Sequence, residues 1–265
     1  MRLYERAATA DRGGPQATLP IWHIAPGRAL FVGPLGRNAP HAHSVPVYLA
    51  GLYAPFRLRM TGGNWLQCRT AVIPAGVAYE FDVAGQPLAV LYLEPSEAGA
   101  EALAPLVAQT CEKSGVLVGS DGVVSPLRDL YEARDGMGGV AEALDDLLRF
   151  SKARARRGLD PRIARAVASL SRATEDEARV TEAARDVGLS PSRFQHLFAA
   201  EVGVPFRRFR VWQRLRRAIG EIAEGRSFTD AAHLAGFFDQ AHFARAFRQT
   251  FGAPASPSLR KVRRA

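Results

Sequence analysis

The pattern of apolar and polar positions changes twice along the chain. From Leu19 to about Pro95, short apolar runs are cut by Gly and Pro. Examples are Ile21-Trp22-His23-Ile24, Ala29-Leu30-Phe31-Val32, Val45-Pro46-Val47-Tyr48-Leu49, Phe56-Arg57-Leu58-Arg59-Met60, Ala71-Val72-Ile73 and Leu88-Ala89-Val90-Leu91-Tyr92-Leu93. Runs of this length and spacing predict the strands of a small antiparallel barrel or sandwich. Pro46 places its run at an edge or bulge, because it cannot donate to a ladder. From Glu97 the period lengthens. Segments near 97–111, 126–133 and 139–151 carry apolar residues at helical spacing. In the last, Ala143, Leu144, Leu147 and Leu148 form one stripe, while Glu142, Asp145, Asp146 and Arg149 face away. Lys152-Ala-Arg-Ala-Arg-Arg-Gly158 reads as a basic linker, and residues 1–18 as a loose lead-in.

Beyond the linker the pattern to about residue 252 is helical throughout. Asp160-Pro161 supplies a cap followed by Pro at the first helical position. Ile163, Val167 and Leu170 line one face of that helix. A second begins at Val180-Thr181-Glu182, with Thr181 as its cap, and Ser190-Pro191 opens a third. Pro205 opens a longer fourth helix to about Glu224, with Phe206, Phe209, Trp212, Leu215, Ile219 and Ile222 at three- to four-residue spacing, and Gly225 ends it. Ser227 or Thr229 caps the fifth helix, and Asp239 the sixth.

Within this segment one pattern occurs twice. Ala183-Ala184…Gly188-Leu189-Ser190-Pro191…Phe194…Phe198…Gly203 is echoed by Ala231-Ala232…Gly236-Phe237-Phe238-Asp239-Gln240…Phe243…Phe247…Gly252. The offset between copies is 48 before the turn and 49 after it, so the second turn is one residue longer. Each copy is a short apolar helix, a turn Gly, a capped second helix and two Phe four residues apart. That is the layout of a helix-turn-helix, and two copies can reach two stretches of DNA major groove.

Charge sharpens this reading. The net charge of +9 is uneven: residues 1–150 carry −3 and residues 151–265 carry +12, the latter from 21 Arg and 2 Lys against 11 acidic residues. The basic excess lies in the half with the repeat, which points to a polyanion partner. Cys68 and Cys111 are the two cysteines, too few for a disulfide framework or a thiolate metal site, so a reducing compartment is expected. No apolar leader and no run long enough to span a bilayer is evident, so a cytoplasmic protein with no membrane partner is expected.

With Phe194, Leu197 and Phe198 facing the core, Ser192, Arg193, Gln195 and His196 of the first copy point outward. In the second copy Gln240, Ala241, His242 and Arg245 do so. These eight are the candidates for contacting bases; Gln and Arg can bond adenine and guanine edges with two hydrogen bonds each. Arg207, Arg208, Arg214 and Arg248 are candidates for phosphate, with Arg216 and Arg217 alongside.

Residues 160–252 resemble the DNA-binding domain of the AraC/XylS family of bacterial transcription regulators. The residues that carry the resemblance are the two strings above together with Gly203-Val204-Pro205-Phe206-Arg207-Arg208-Phe209, Arg214-Leu215, Ala218, Arg245, Arg248 and Phe251-Gly252. The resemblance implies two helix-turn-helix units joined by one long helix, entering successive major-groove segments. It places Ser192, Gln195 and His196, and then Gln240, Ala241, His242 and Arg245, at base-contact positions. The chain departs from the family after Gly252: Leu259 stands where an aromatic is expected, with altered spacing.

His41-Ala42-His43, followed by Pro74-Ala75-Gly76, resembles a degenerate version of the family's cupin-type sensor barrel. A metal-binding cupin would add a Glu soon after the second His and a third His after the Pro-x-Gly. Here Ser44 to Tyr48 contain no carboxylate and Tyr79 stands at the His position. Two imidazoles are too few for a secure site. Glu80 or Cys68 could complete one, but a metal-free pocket lined by His41, His43, Tyr48, Trp65, Tyr79 and Tyr92 is the preferred expectation, with no cofactor.

The expected fold is therefore α+β. An N-terminal β-barrel with helices (1–151) acts in effector binding or dimerisation, a linker (152–159) follows, and an all-α DNA-binding domain with two helix-turn-helix units (160–265) completes the chain. The expected function is a sequence-specific transcription regulator and not an enzyme. Its expected partners are double-stranded DNA, a small-molecule effector, a second copy of itself, and RNA polymerase if it activates. The alternatives are a metal-dependent cupin enzyme fused to a DNA-binding tail, and a non-specific nucleoid or scaffold protein using only the basic half.

Overall fold

The computed structural model describes residues 20–97, 99–132, 145–146, 149, 159–170 and 180–259. The apolar runs of the N-terminal part form two antiparallel sheets. The larger has the order β1 (Ile21–Ala25), β2 (Arg28–Pro34), β9 (Pro87–Leu93), β4 (Val47–Gly51), β7 (Thr70–Ile73), β11 (Val116–Gly122) and β10 (Val107–Lys113). The smaller has the order β3 (Arg37–His41), β8 (Tyr79–Asp82), β5 (Phe56–Met60) and β6 (Leu66–Cys68). Trp22, Phe31, Val47, Leu49, Ile73 and Tyr92 from the first pack with Phe56, Leu58, Tyr79 and Phe81 from the second.

The strands expected of a small barrel or sandwich form this pair of facing sheets. Among the described residues no ladder joins one sheet to the other. The rear face of the larger sheet is also covered. Ile21, Leu30, Val32, Tyr48, Leu91 and Leu93 lie beneath Leu103, Leu106 and helix α1 (Ser125–Glu132). Burial on both faces is why Ala29–Val32 and Leu88–Leu93 read as unbroken apolar runs and not as an in–out alternation.

The helix expected over 97–111 does not form. Two single 3₁₀ turns, Ala100–Ala102 and Ala104–Leu106, lead into the hairpin β10–β11. Its connection is Ser114-Gly115, with φ of 51° and 74°. Two consecutive positive φ values make the two-residue turn whose twist matches paired strands. The expectation for 126–133 is met by α1, and that for 139–151 falls almost entirely outside the described residues.

The C-terminal part is helical: α2 (Pro161–Leu170), α3 (Val180–Asp186), α4 (Pro191–Val202), α5 (Phe206–Ala223), α6 (Phe228–Leu234), α7 (Gln240–Phe251) and α8 (Ala255–Leu259). Asp160 caps α2, its Oδ1 accepting the Arg162 amide at 2.8 Å. Thr181 does not cap α3, which is already helical at Val180. The buried face of α5 is the one its spacing predicts, from Phe206 to Ile222. The short α8 was not foreseen; it seats Leu259 in the core where an aromatic was expected. The apolar core of these helices is continuous with the front face of the larger sheet.

Candidate functional site

The two helix-turn-helix units are built alike. In the first, α3 ends before Gly188 (φ 69°), and Ser190 caps α4 by accepting the Arg193 amide. In the second, α6 ends before Gly236 (φ 80°), and Asp239 caps α7 by accepting the His242 amide. Each cap contributes about 1 kcal/mol and fixes where its helix begins. Phe194 and Phe198, and Phe243 and Phe247, are fully buried and hold α4 and α7 against the long α5 and its neighbours. That packing leaves the N-terminal halves of α4 and α7 to the solvent.

Ser192, Arg193, Gln195 and His196 are all exposed on α4. On α7, Gln240, Ala241 and Arg245 are exposed, and the Gln240 amide oxygen accepts from Thr229 Oγ1 at 3.1 Å, which orients the amide. His242 departs from its expected position. It is half-buried, its ring stands edge-on to Phe237 at 5.2 Å, and its Nδ1 accepts the Phe238 amide at 3.4 Å. The imidazole thus braces the turn. Of the arginines expected at phosphates, Arg207, Arg208 and Arg248 are exposed and Arg214 is half-buried. Arg208 is engaged elsewhere: its Nη2 donates to the Ala42 carbonyl at 2.6 Å. Arg216 is half-buried and donates through Nη1 to the Ala25 carbonyl at 2.9 Å.

Through these bonds Arg208 and Arg216 join a polar seam between the helices and the sheets. Ser44 Oγ donates to the Arg208 carbonyl at 3.2 Å. Glu94 has no exposed surface; its Oε1 accepts from Trp212 Nε1 at 3.0 Å and lies 3.2 Å from Arg216 Nε. Asn38 Nδ2 donates to the Phe251 carbonyl at 2.6 Å, the Ala39 amide to the Gly252 carbonyl at 2.9 Å, and Trp22 Nε1 to the Ser258 carbonyl at 3.2 Å. Both helix-ending glycines are left-handed: Gly203 of α4 sits against Ala75 in the turn between β7 and β8, and Gly252 of α7 against Ala39 and His41 of β3.

The seam encloses a cavity of about 20 Å³, lined by Trp22, Asn38, His41, His43, Tyr79, Tyr92, Phe247 and Phe251 among others. That volume holds about one water molecule. Four of the six pocket candidates, His41, His43, Tyr79 and Tyr92, come together here. His41 lies 4.5 Å from Tyr79 and 4.9 Å from His43, ring centre to ring centre, and Phe251 of α7 reaches His43 at 5.6 Å and Tyr92 at 5.8 Å.

Tyr48 and Trp65 are not part of it. Tyr48 lies between Val47 and Leu49 on its strand and therefore faces the rear, its single hydroxyl proton shared between the carbonyls of Val123 at 3.0 Å and Leu106 at 3.1 Å. Trp65 is on the outside of the smaller sheet, ringed by Arg37, Arg57 and Arg59 at 5.4, 5.2 and 4.8 Å. The helical half of the cavity, Phe247 and Phe251, carries no signal in the N-terminal sequence. Neither does the seam role of Glu94, which follows an ordinary apolar run.

His41 Nδ1 pairs with the Ala39 carbonyl at 2.8 Å, while His41 Nε2, His43 Nδ1 and the Tyr79 hydroxyl have no hydrogen-bond partner. Burial, opposed by that Ala39 bond, holds His41 down at about 4. Burial lowers His43 well below its ordinary value, with His41 and Arg208 adding to the effect, and raises Tyr79 well above the usual phenol range. A metal does not fit this donor set. Among the described residues no third His, Cys, Asp or Glu joins the pair. Glu80, one of the two candidate third ligands, is held outside by Arg59 and Arg37, whose hydrogen bonds keep its carboxyl below the usual range.

Comparison with known proteins agrees with this geometry. Residues 162–261 match the helix-turn-helix domain family. No curated protein matches the sequence at a significant level. Among solved structures the chain is similar to ToxT of Vibrio cholerae. An apo variant from strain SCE256 shares 13% identity at a TM-score of 0.58, covering 88% of this chain and 97% of that one. The wild-type protein with bound unsaturated fatty acid shares 14% at 0.57, covering 92% and 99%. The O395 protein bound to (E)-4-(8-methylnaphthalen-1-yl)but-3-enoic acid shares 12% at 0.55, covering 88% and 98%. Among the described residues no helix is long and apolar enough to cross a membrane. The C-terminal region of this chain is an AraC-type helix-turn-helix DNA-binding domain, carried on a pair of N-terminal sheets in the fold of ToxT.

Proposed function

We propose that this protein is a sequence-specific transcription regulator that responds to a small molecule. The observation that carries the reading is the pair of capped helices, α4 and α7, whose exposed N-terminal halves carry Ser192, Arg193, Gln195 and His196, and Gln240, Ala241 and Arg245. They lie in a segment of net charge +12. Residues 1–151 would receive the effector, 152–159 would link, and 160–265 would bind DNA. Arg207, Arg214 and Arg248 would hold phosphate, and Arg208 would leave the Ala42 carbonyl only if the seam opened.

His41, His43, Tyr79 and Tyr92 form the floor of the effector pocket, and Phe247 and Phe251 its lid. In the closed state the cavity admits no more than a water-sized group, so an effector must displace the lid. An apolar molecule with one polar end would suit the aromatic walls and the unpaired atoms of His41, His43 and Tyr79. The fatty acid and the naphthyl butenoic acid bound by ToxT are molecules of that kind. Displacing the lid moves α7, so effector and DNA would bias one equilibrium. A second copy, and RNA polymerase if the protein activates, are further proposed partners.

The test is selection from a random duplex pool by the full-length protein, followed by sequencing. Two short enriched elements about one helical turn apart support the reading. Binding without enrichment, collapsing steeply with salt, refutes it in favour of contact with the backbone alone.

A further inference from the structure

Phe238 is 84% exposed, the most exposed large apolar side chain among the described residues. A Phe left in water forgoes the gain of burial, and none of the described residues covers this ring. The position is specific. Phe238 immediately precedes Asp239, the cap of α7, and its amide is tied to His242 Nδ1 at 3.4 Å. That bond fixes the backbone beside the exposed Gln240, Ala241 and Arg245. Phe237, its neighbour, is buried against His242 and Phe243, so the turn is anchored on one side and presents a ring on the other.

We propose that Phe238 reads DNA, packing its ring on the C5-methyl group of a thymine in the second major-groove element. The methyl is the one apolar group that a base edge offers in that groove, and an aromatic ring is among the side chains suited to it. The recognition surface of α7 then has three parts: Gln240 and Arg245 for polar edges, and Phe238 for a methyl. The inference rests on the proposed DNA-reading function.

The experiment uses the full-length protein and the duplex enriched in the selection above. Each thymine of the second element is replaced in turn by deoxyuridine, which removes only the methyl. At one position wild-type affinity falls about fourfold, the cost of one methyl group left unburied. Phe238→Ala binds the thymine duplex more weakly by at least that factor and no longer distinguishes thymine from deoxyuridine there. Phe238→Leu restores part of the distinction.

Indifference of the wild type to deoxyuridine at every position overturns the proposal. So does a Phe238→Ala protein that keeps the full thymine preference, which would assign the methyl to another side chain such as Ala241. A variant with unchanged DNA binding but lost transcriptional activity also overturns it, and makes Phe238 a protein-docking residue. These outcomes all require an enriched duplex, so they remain distinct from failure of the DNA-reading function itself.

Discussion

Gly252→Ala should unlatch α7 from the sheets, and its cost can be separated from ordinary backbone strain by comparison with Gly188→Ala. Both glycines are left-handed, with φ of 68° and 69°. An Ala in that region costs about 1 kcal/mol. At Gly188 a Cβ meets nothing within 4 Å, so strain is the whole cost. At Gly252 the same Cβ would overlap the Ala39 carbonyl oxygen and lie 2.5 Å from His41 Nδ1. Relief requires α7 to lift, and lifting breaks the Ala39 amide bond to Gly252 and the Asn38 bond to the Phe251 carbonyl. At about 1 kcal/mol each, these bring the total to about 3 kcal/mol.

Urea midpoints compare the two variants, and hydrogen exchange at the Ala39 amide reports the seam itself. The 2 kcal/mol difference corresponds to about thirtyfold faster exchange at Ala39 in Gly252→Ala, with no change in Gly188→Ala. Equal urea midpoints and an unchanged Ala39 amide would refute the latch.

Other outcomes follow from the same geometry. Stability should fall as pH drops from about 6.5 toward 4, because the unfolded chain protonates His41 and His43 there while the folded chain holds them neutral, His41 down to about 4. Above pH 6.5 that contribution is fully present, and His41→Gln should flatten the slope in a pH series of urea melts. Trp212→Phe removes a donor from buried Glu94 and should cost about 1–3 kcal/mol, visible in the same melts. Arg245→Ala should relax base choice at one position in the selected motif, whereas Arg207→Ala should weaken all sequences alike and lower the salt slope by about one, both read by titration at several salt concentrations.

Much of the helical half was legible in the sequence because its signals are local. Ser190-Pro191, Asp160-Pro161 and Asp239 are caps, Gly188 and Gly236 are turns, and the α5 stripe follows a 3.6-residue period. The errors came where a local signal was overruled or ignored. Ala100 to Leu106 have helical spacing, yet Ser114-Gly115 a few residues on is a hairpin turn that demands strands on both sides. Tyr48 was drawn to the pocket by its type, although its parity on β4 sends it to the opposite face. His242, a base-contact candidate by its position, is half-buried and uses Nδ1 within its own turn, a contact that its sequence position does not announce. Glu94 meets Trp212, Ala42 meets Arg208 and Tyr92 meets Phe251 only because two distant parts of the chain pack together, and no spacing within either part encodes those meetings.

The two twelve-residue rods α4 and α7 stand on one floor. Each is about 18 Å tall, each has its foot on the N-terminal part, at Ala75 in the β7–β8 turn and at Ala39 on β3, and each carries its exposed polar residues at the tip. The gap between the tips is therefore gauged twice, by α5 between the rods and by the floor beneath them. A DNA turn offers one repeat of about 34 Å. Anything that warps the floor between Ala39 and Ala75 changes the calliper setting without touching a single residue that would meet DNA.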